Sequence, residues 1–371
     1  MKVYTIVIDG FGIGETPDAA SYGDKGANTF GNIDKIKRVK IPNMEKLGMR
    51  NIEGVGTKLF KNPVGTFARV MPKSKGKDTL TGHLEMAGII TDVPFPTYHD
   101  GIPKSEIKKL EELVGTGFIG GQALSGTKII EMLGQEHLNT LKPIIYTSAD
   151  SVLQIAAHED VLKIEKLYKL CEKIRKNTKV GRVIARPFSG DADNFFRLNN
   201  LRKDFGLEIK KETLLDKLYK NNVKVISVGK IYDIFNGRSI NIKIDGKTND
   251  QAIENLKSNV VNKDHNNTFI FVNLVDTDMV YGHRNDISGY KKSLEKTDNA
   301  IGYIMKKMSK DDVLIITADH GCDPTLSHST DHTREYVPFL MYSKNKKSTD
   351  LKTINGIDIV KKKVLEMFNI N

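Results

Sequence analysis

The chain has 371 residues, a length that accommodates two domains. Apolar residues make up 39% and charged residues 28%, which excludes a disordered, collagen-like or disulfide-stapled chain. Lys and Arg outnumber Asp and Glu by 57 to 46, a net charge of +11, but the lysines lie in scattered pairs such as Lys108-Lys109, with no aromatic-interleaved basic helix and no zinc-finger spacing, so a solvated basic surface is expected and no nucleic-acid partner.

Residues 3–8 (VYTIVI) form a β-branched apolar run that ends at Asp9-Gly10, the pattern of a buried parallel strand. Gly10, Gly12 and Gly14 follow, but the third spacing is wrong for a dinucleotide loop and Glu15-Thr16-Pro17 comes next, so a tight loop at the strand tip is expected. Pro94, Pro96 and Pro103 mark 94–103 as a linker. Beyond it, helical patterns cover 105–114, 127–138 and 161–177, strand patterns cover 143–147 and 180–186, and 187–207 is expected to be loop-rich. Helical patterns over 211–221, 249–262 and 289–309 then alternate with apolar runs at 223–228, 269–275 and 313–318. This alternation predicts an α/β core with a mainly parallel sheet flanked by helices. Similar strands on both sides of the middle region place a smaller α/β domain, 95–211, as an insertion in a discontinuous core of 1–94 and 212–371.

No apolar run is long enough to span a membrane, and the N-terminus lacks the pattern of a signal peptide, so a cytoplasmic protein without membrane association is expected. Cys171 and Cys322 are far apart and are expected to be free thiols.

In open parallel sheets, chemistry collects at the C-terminal strand ends. Asp9, Asp278 and Asp319 fall at such ends, and His283, His320 and His332 lie close by in sequence. A lone Asp after a strand is usually a turn or a helix cap. Asp319-His320 directly after an apolar run, Asp331-His332 beyond it and Asp278-x4-His283 upstream together point instead to divalent metal ligands, with His328 competing with His332 for one place. Six such ligands could hold two metals about 3.5–4 Å apart, an arrangement suited to phosphoryl transfer. In GKDTLTGHLE (76–85), Thr79 and Thr81 are both candidate nucleophiles at a helix start, and either could simply cap a helix beginning near residue 82. Asp150, Arg186, Arg202 and Lys230 could read a sugar phosphate, the arginines by planar bidentate contacts.

Segments spread along almost the whole chain then carry a family resemblance: DGFGIGETPDA (9–19), GKDTLTGH (76–83), SGTKIIEMLG (125–134), YTSADSVLQIAAHE (146–159), VGRVIARPF (180–188), VGKIYDIF (228–235), DMVYGHRND (278–286), ADHGCDPT (318–325) and DHTREYVP (331–338). The chain resembles the phosphopentomutases of the alkaline-phosphatase superfamily. The resemblance implies an alkaline-phosphatase-like core with an inserted cap that closes to keep water out. It implies two Mn²⁺ ions, one on Asp278, His283 and His332 and one on Asp9, Asp319 and His320. Thr79 would carry the phosphoryl group, Asp150 would contact the sugar, and Arg186, Lys230 and Arg202 would hold the distal phosphate. The implied reaction interconverts ribose (or 2-deoxyribose) 1-phosphate and 5-phosphate through a phosphothreonine and a pentose 1,5-bisphosphate, within nucleoside catabolism. It is primed by a sugar bisphosphate such as glucose 1,6-bisphosphate or ribose 1,5-bisphosphate, and it implies pentose phosphates as partners, with no obligate protein partner. A phosphatase, or a mutase for another sugar phosphate, is the alternative on the same scaffold. The chain departs from the family pattern at Gly10, usually Ser, and at Leu84, usually Trp.

Overall fold

A computed structural model of the chain describes residues 1–56, 59–148, 151–263 and 267–371. They form two compact units, Met1–Pro94 with Lys210–Asn371, and Phe95–Ile209. The second boundary lies two residues before the expected one.

The first unit opens with β1 (Lys2–Ile8), α1 (Thr29–Ile36), α2 (Pro42–Leu47), β2 (Thr66–Met71) and α3 (Thr79–Met86). The second unit follows with α4 (Lys104–Val114), β3 (Ile119–Ala123), α5 (Gly126–Thr140), β4 (Ile144–Thr147), β5 (Val152–His158), α6 (Ile164–Lys176), β6 (Arg182–Ser189), β7 (Phe196–Arg197) and β8 (Lys203–Gly206). The chain returns to the first unit with α7 (Leu214–Lys220), β9 (Lys224–Val228), α8 (Ile231–Ile234), β10 (Ile242–Ile244), α9 (Asn249–Leu256), β11 (Thr268–Leu274), α10 (Ile287–Lys307), β12 (Val313–Thr317), β13 (Val337–Tyr342), β14 (Asp350–Asn355) and α11 (Ile359–Met367).

The eight strands of the first unit are ordered β10-β9-β11-β1-β12-β13-β2-β14. Strands β10 to β12 are parallel, and only β13 runs against its neighbours. β1, β11 and β12 are buried along nearly their whole length, which is why they read as continuous apolar runs and not as alternating ones. Two helix groups cover this sheet: α10 packs with α2 and α9, and α11 packs with α3 and α7. The register sets up the chemistry. Ile8 lies opposite Leu274, and Val7 lies opposite Thr317, so the chain leaves all three central strands at one edge.

The second unit is a mixed sheet, β3-β4-β5-β6-β7, with β8 paired to β6. One of its cores includes Leu110, Ile145, Ile155, Leu167 and Cys171; the other includes Ile129, Ile130, Ile144, Tyr146 and Phe188 beneath α5. Both cysteines are buried free thiols. Among the described residues no helix is long and apolar enough to cross a membrane.

Three expectations are corrected. The stretch 187–207 is not simply loop: it holds the end of β6, then β7 and β8, short antiparallel strands whose Gly- and Asp-rich surroundings hide them. The helix after GKD begins at Thr79 and not near residue 82. Its cap is neither threonine but Asp78, whose side chain accepts from Thr81 N.

Candidate active site

Each acidic tip is set by the turn that follows its strand. Past β1, Gly10 takes the left-handed conformation and its N–H donates to Asp319 Oδ1 at 3.2 Å. A side chain there would bring a Cβ to 2.9 Å from Cys322 Cβ, so in this chain glycine eases both the conformation and the close approach. Past β11, the chain enters a π-helical turn, Thr277–Tyr281, that presents Asp278; Thr277 Oγ1 donates to Asp9 O at 2.6 Å. A 3-10 turn, Gly282–Arg284, presents His283. Asp319 and His320 follow β12, and the bridge between Gly321 and Thr333 draws His332 back beside them.

These six side chains converge. Asp9, Asp319 and His320 place ligand atoms within 4.8 Å of one another, and so do Asp278, His320 and His332. Asp278 Oδ2 lies 3.3 Å from His283 Nε2, and its Oδ1 lies 3.5 Å from His332 Nε2. The His332 ring stands 4.6 Å from that of His283 and 4.2 Å from that of His320. All but His283 are buried.

The charges are balanced locally. Burial and then Asp319 push the Asp9 carboxyl above its ordinary range. Burial works to raise Asp278 too, but His332 and His283 hold it well below that range. The same contest at Asp319 is won by His320, with His83 assisting, and brings it down to about 2.

The donor set fits divalent metal. His320 Nδ1 donates to Gly321 O at 2.9 Å, and His283 Nδ1 donates to Thr330 O at 2.6 Å. Each bond occupies Nδ1 and leaves Nε2 facing the carboxylates, so that loss of the Nε2 proton would present a lone pair to a cation there. Asp278 Oδ1 and Asp319 Oδ2 are buried and accept no hydrogen bond among the described residues, a costly state for a carboxylate oxygen unless a cation completes it. Imidazole nitrogen with carboxylate oxygen suits zinc, manganese and related ions.

Thr79 stands at the first position of α3, with its Oγ1 3.3 Å from both Asp9 Oδ1 and His320 Nε2. Thr81 does not compete: its hydroxyl donates to Asp78 Oδ2 at 2.5 Å. Lys230, at the start of α8, acts on Asp9 through its charge. Arg186 and Arg202 belong to the second unit. Arg186 Nε donates to Gln154 Oε1 at 3.0 Å, and Arg202 grips Asp204 with two bonds of 2.7 Å. Asp150 lies outside the described residues.

Two site neighbours escaped the sequence reading. His83, fully buried, donates from Nδ1 to Thr79 O at 2.8 Å and lies 3.3 Å from Asp319 Oδ2. Its signal was the four-residue spacing from Thr79, which puts both on one face of α3. Cys322 places its sulfur within 4.8 Å of ligand atoms of Asp278 and His283.

A buried Asp/His cluster at the C-terminal edge of a mainly parallel sheet, with a hydroxyl at a helix start facing it, defines an alkaline-phosphatase-like metalloenzyme. The model of the metalloenzyme superfamily matches residues 1–371. A solved structure of a protein from Pyrococcus horikoshii shares the fold, with a TM-score of 0.50 and 18% identity, over 99% of this chain and 96% of that one. The phosphopentomutase of Acetivibrio thermocellus is 49% identical over 353 residues, 94% of this chain and 90% of that protein. That of Clostridium acetobutylicum is 45% identical over 380 residues, 100% of this chain and 95% of that protein. The chain belongs to the phosphopentomutase family.

Proposed function

We propose that this chain interconverts ribose or 2-deoxyribose 1-phosphate and the 5-phosphate through a phosphorylated Thr79. In this reading phospho-Thr79 passes its phosphoryl group to the free hydroxyl of a bound pentose phosphate. The bond from phosphorus to Thr79 Oγ1 breaks, a bond to the sugar oxygen forms, and the proton lost by the sugar hydroxyl is balanced by the one Thr79 Oγ1 regains. The pentose 1,5-bisphosphate turns round and returns its other phosphoryl to Thr79, so no water is consumed. A sugar bisphosphate such as glucose 1,6-bisphosphate would supply the first phosphoryl group.

Asp278, His283 and His332 would hold one Mn²⁺, and Asp9, Asp319 and His320 a second. Bound there, the ions supply positive charge that stabilises the transferring phosphoryl and lowers the pKa of the hydroxyl. The rest falls to the chain. Asp78 caps α3 and so fixes the turn that carries Thr79. Arg186, Arg202 and Lys230 would take the distal phosphate and Asp150 the sugar, while Phe95–Ile209 would serve as a cap that limits hydrolysis.

The observation that supports this reading most directly is the Thr79 hydroxyl at 3.3 Å from both Asp9 and His320. Thr79→Ala should lose at least about 10³-fold of the exchange rate and remain unphosphorylated by glucose 1,6-bisphosphate in mass spectrometry, while Thr81→Ala keeps phosphorylation. A Thr79→Ala enzyme that turns over normally would defeat the assignment.

A further inference from the structure

The segment 72–78 delivers Thr79 to the ligand cluster, and its main chain is held from two sides. Glu85, fully buried, accepts from Lys73 N at 2.9 Å and Ser74 N at 2.7 Å, and also from Ile357 N at 2.8 Å. Arg334 takes the carbonyls. Its Nη1 donates to Ser74 O at 2.6 Å and Gly76 O at 3.3 Å, and its Nη2 donates to Pro72 O at 3.0 Å. The same guanidinium pairs with Asp18 through Nε at 3.3 Å and Nη2 at 3.2 Å. The Tyr22 ring lies 5.2 Å from it, and the Tyr22 hydroxyl donates to the intervening Lys75 O at 2.8 Å.

Arg334 is 2% exposed and stands two residues past His332. Its own N–H donates to Asp24 Oδ2 at 2.8 Å, the carboxylate that also pairs with Lys77 Nζ at 3.0 Å. One side chain thus ties carbonyls of residues 72, 74 and 76 to the segment that presents His332. Only a planar fork of five donors can reach three carbonyls and a carboxylate together; an ammonium group cannot.

We infer that Arg334 is a positioning residue for phosphoryl transfer, fixing the height of Thr79 Oγ1 over the ligand cluster. The inference rests on Thr79 being the phosphoryl carrier. Glu85 anchors the start of the segment through Lys73 and Ser74, so loss of the fork frees residues 75–78 and with them Thr79, the first residue of α3, while the rest of the helix stays in place. A displacement of about 1 Å at a reacting group costs about 10²-fold in rate.

Two variants test it. Arg334→Lys keeps a cation beside Asp18 without the fork, and Arg334→Ala opens a space that guanidinium ion fits. Both should lower kcat about 10²-fold with KM for the pentose phosphate nearly unchanged, slow Thr79 phosphorylation in parallel and leave Mn²⁺ binding intact. Guanidinium chloride at millimolar concentration should restore Arg334→Ala by roughly tenfold, where sodium chloride at equal ionic strength restores nothing. Wild-type kcat per folded molecule in both variants overturns the inference. A lower melting temperature with lost activity that guanidinium does not restore overturns it equally, because a purely structural role predicts that result. If neither variant folds, Asp18→Asn weakens the grip from its more exposed side: kcat should fall with KM unchanged, and an unaltered kcat rejects the inference. Wild-type turnover by Thr79→Ala would instead reject the functional reading on which this rests.

Discussion

His320 Nε2 can carry a proton or hold a cation, and not both. Burial works against its imidazolium, but Asp319 and then Asp9 outweigh burial and hold its pKa well above the ordinary histidine range. The same Nε2 that faces Asp9 at 3.4 Å would have to give up its proton to bind a cation. Metal and proton therefore compete for one lone pair. Below the raised pKa a cation bound at this nitrogen releases a proton, so metal affinity should rise with pH through the ordinary histidine range and on to that raised value. Calorimetry in buffers of different ionisation enthalpy measures this directly. Affinity that stays flat across that range, with no proton released, would place the metal on other atoms.

At the scale of elements, α3 carries both the proposed nucleophile and the close packing that aims it. A Cβ on Gly82 would lie 2.4 Å from Asp319 O and 2.6 Å from Asp319 Cβ. Gly82→Ala gains helix propensity worth about 1 kcal/mol yet overpacks a site where neither backbone can yield, at a cost of ~1–3 kcal/mol. The expected outcome is a lower melting temperature together with reduced kcat, as Asp319 is displaced; equal stability and activity would show that α3 is loosely seated.

The central strands were legible because β-branched runs buried on both faces leave little alternative. β2, β13 and β14 were not. β13 carries Pro338 as its second residue, which argues against a strand unless the missing N–H falls where no ladder bond is needed, and β14 is a mostly exposed strand at the sheet edge with no apolar pattern. α1 contains Gly31 and Asn32, poor helix formers, yet its cap residue Asn28 bonds to Gly31 N and starts it. α11 is interrupted by three consecutive lysines that masked its apolar stripe.

For the molecule as a whole, the insertion was readable from its proline-marked linker and from strands recurring on both sides, and the structure divides at Pro94 and Lys210. The ligand candidates were readable for a similar reason: they sit in short contiguous motifs at the ends of strands that share one register. The supports of the site were not readable, because their bonds join distant chain segments. Arg334 reaches Pro72 O across 262 residues, and nothing local to DHTRE announces it. Thr81 and Thr79 could not be separated by sequence either; the difference is that Asp78 takes the Thr81 hydroxyl.

Everything proposed for the site depends on the chain moving a phosphoryl group between two positions of a pentose without releasing it to water. Phosphorus NMR of the protein with ribose 5-phosphate, Mn²⁺ and a trace of glucose 1,6-bisphosphate tests this most directly. A ribose 1-phosphate signal should grow, with little inorganic phosphate. Inorganic phosphate as the sole product, or an unchanged ribose 5-phosphate signal, would contradict it.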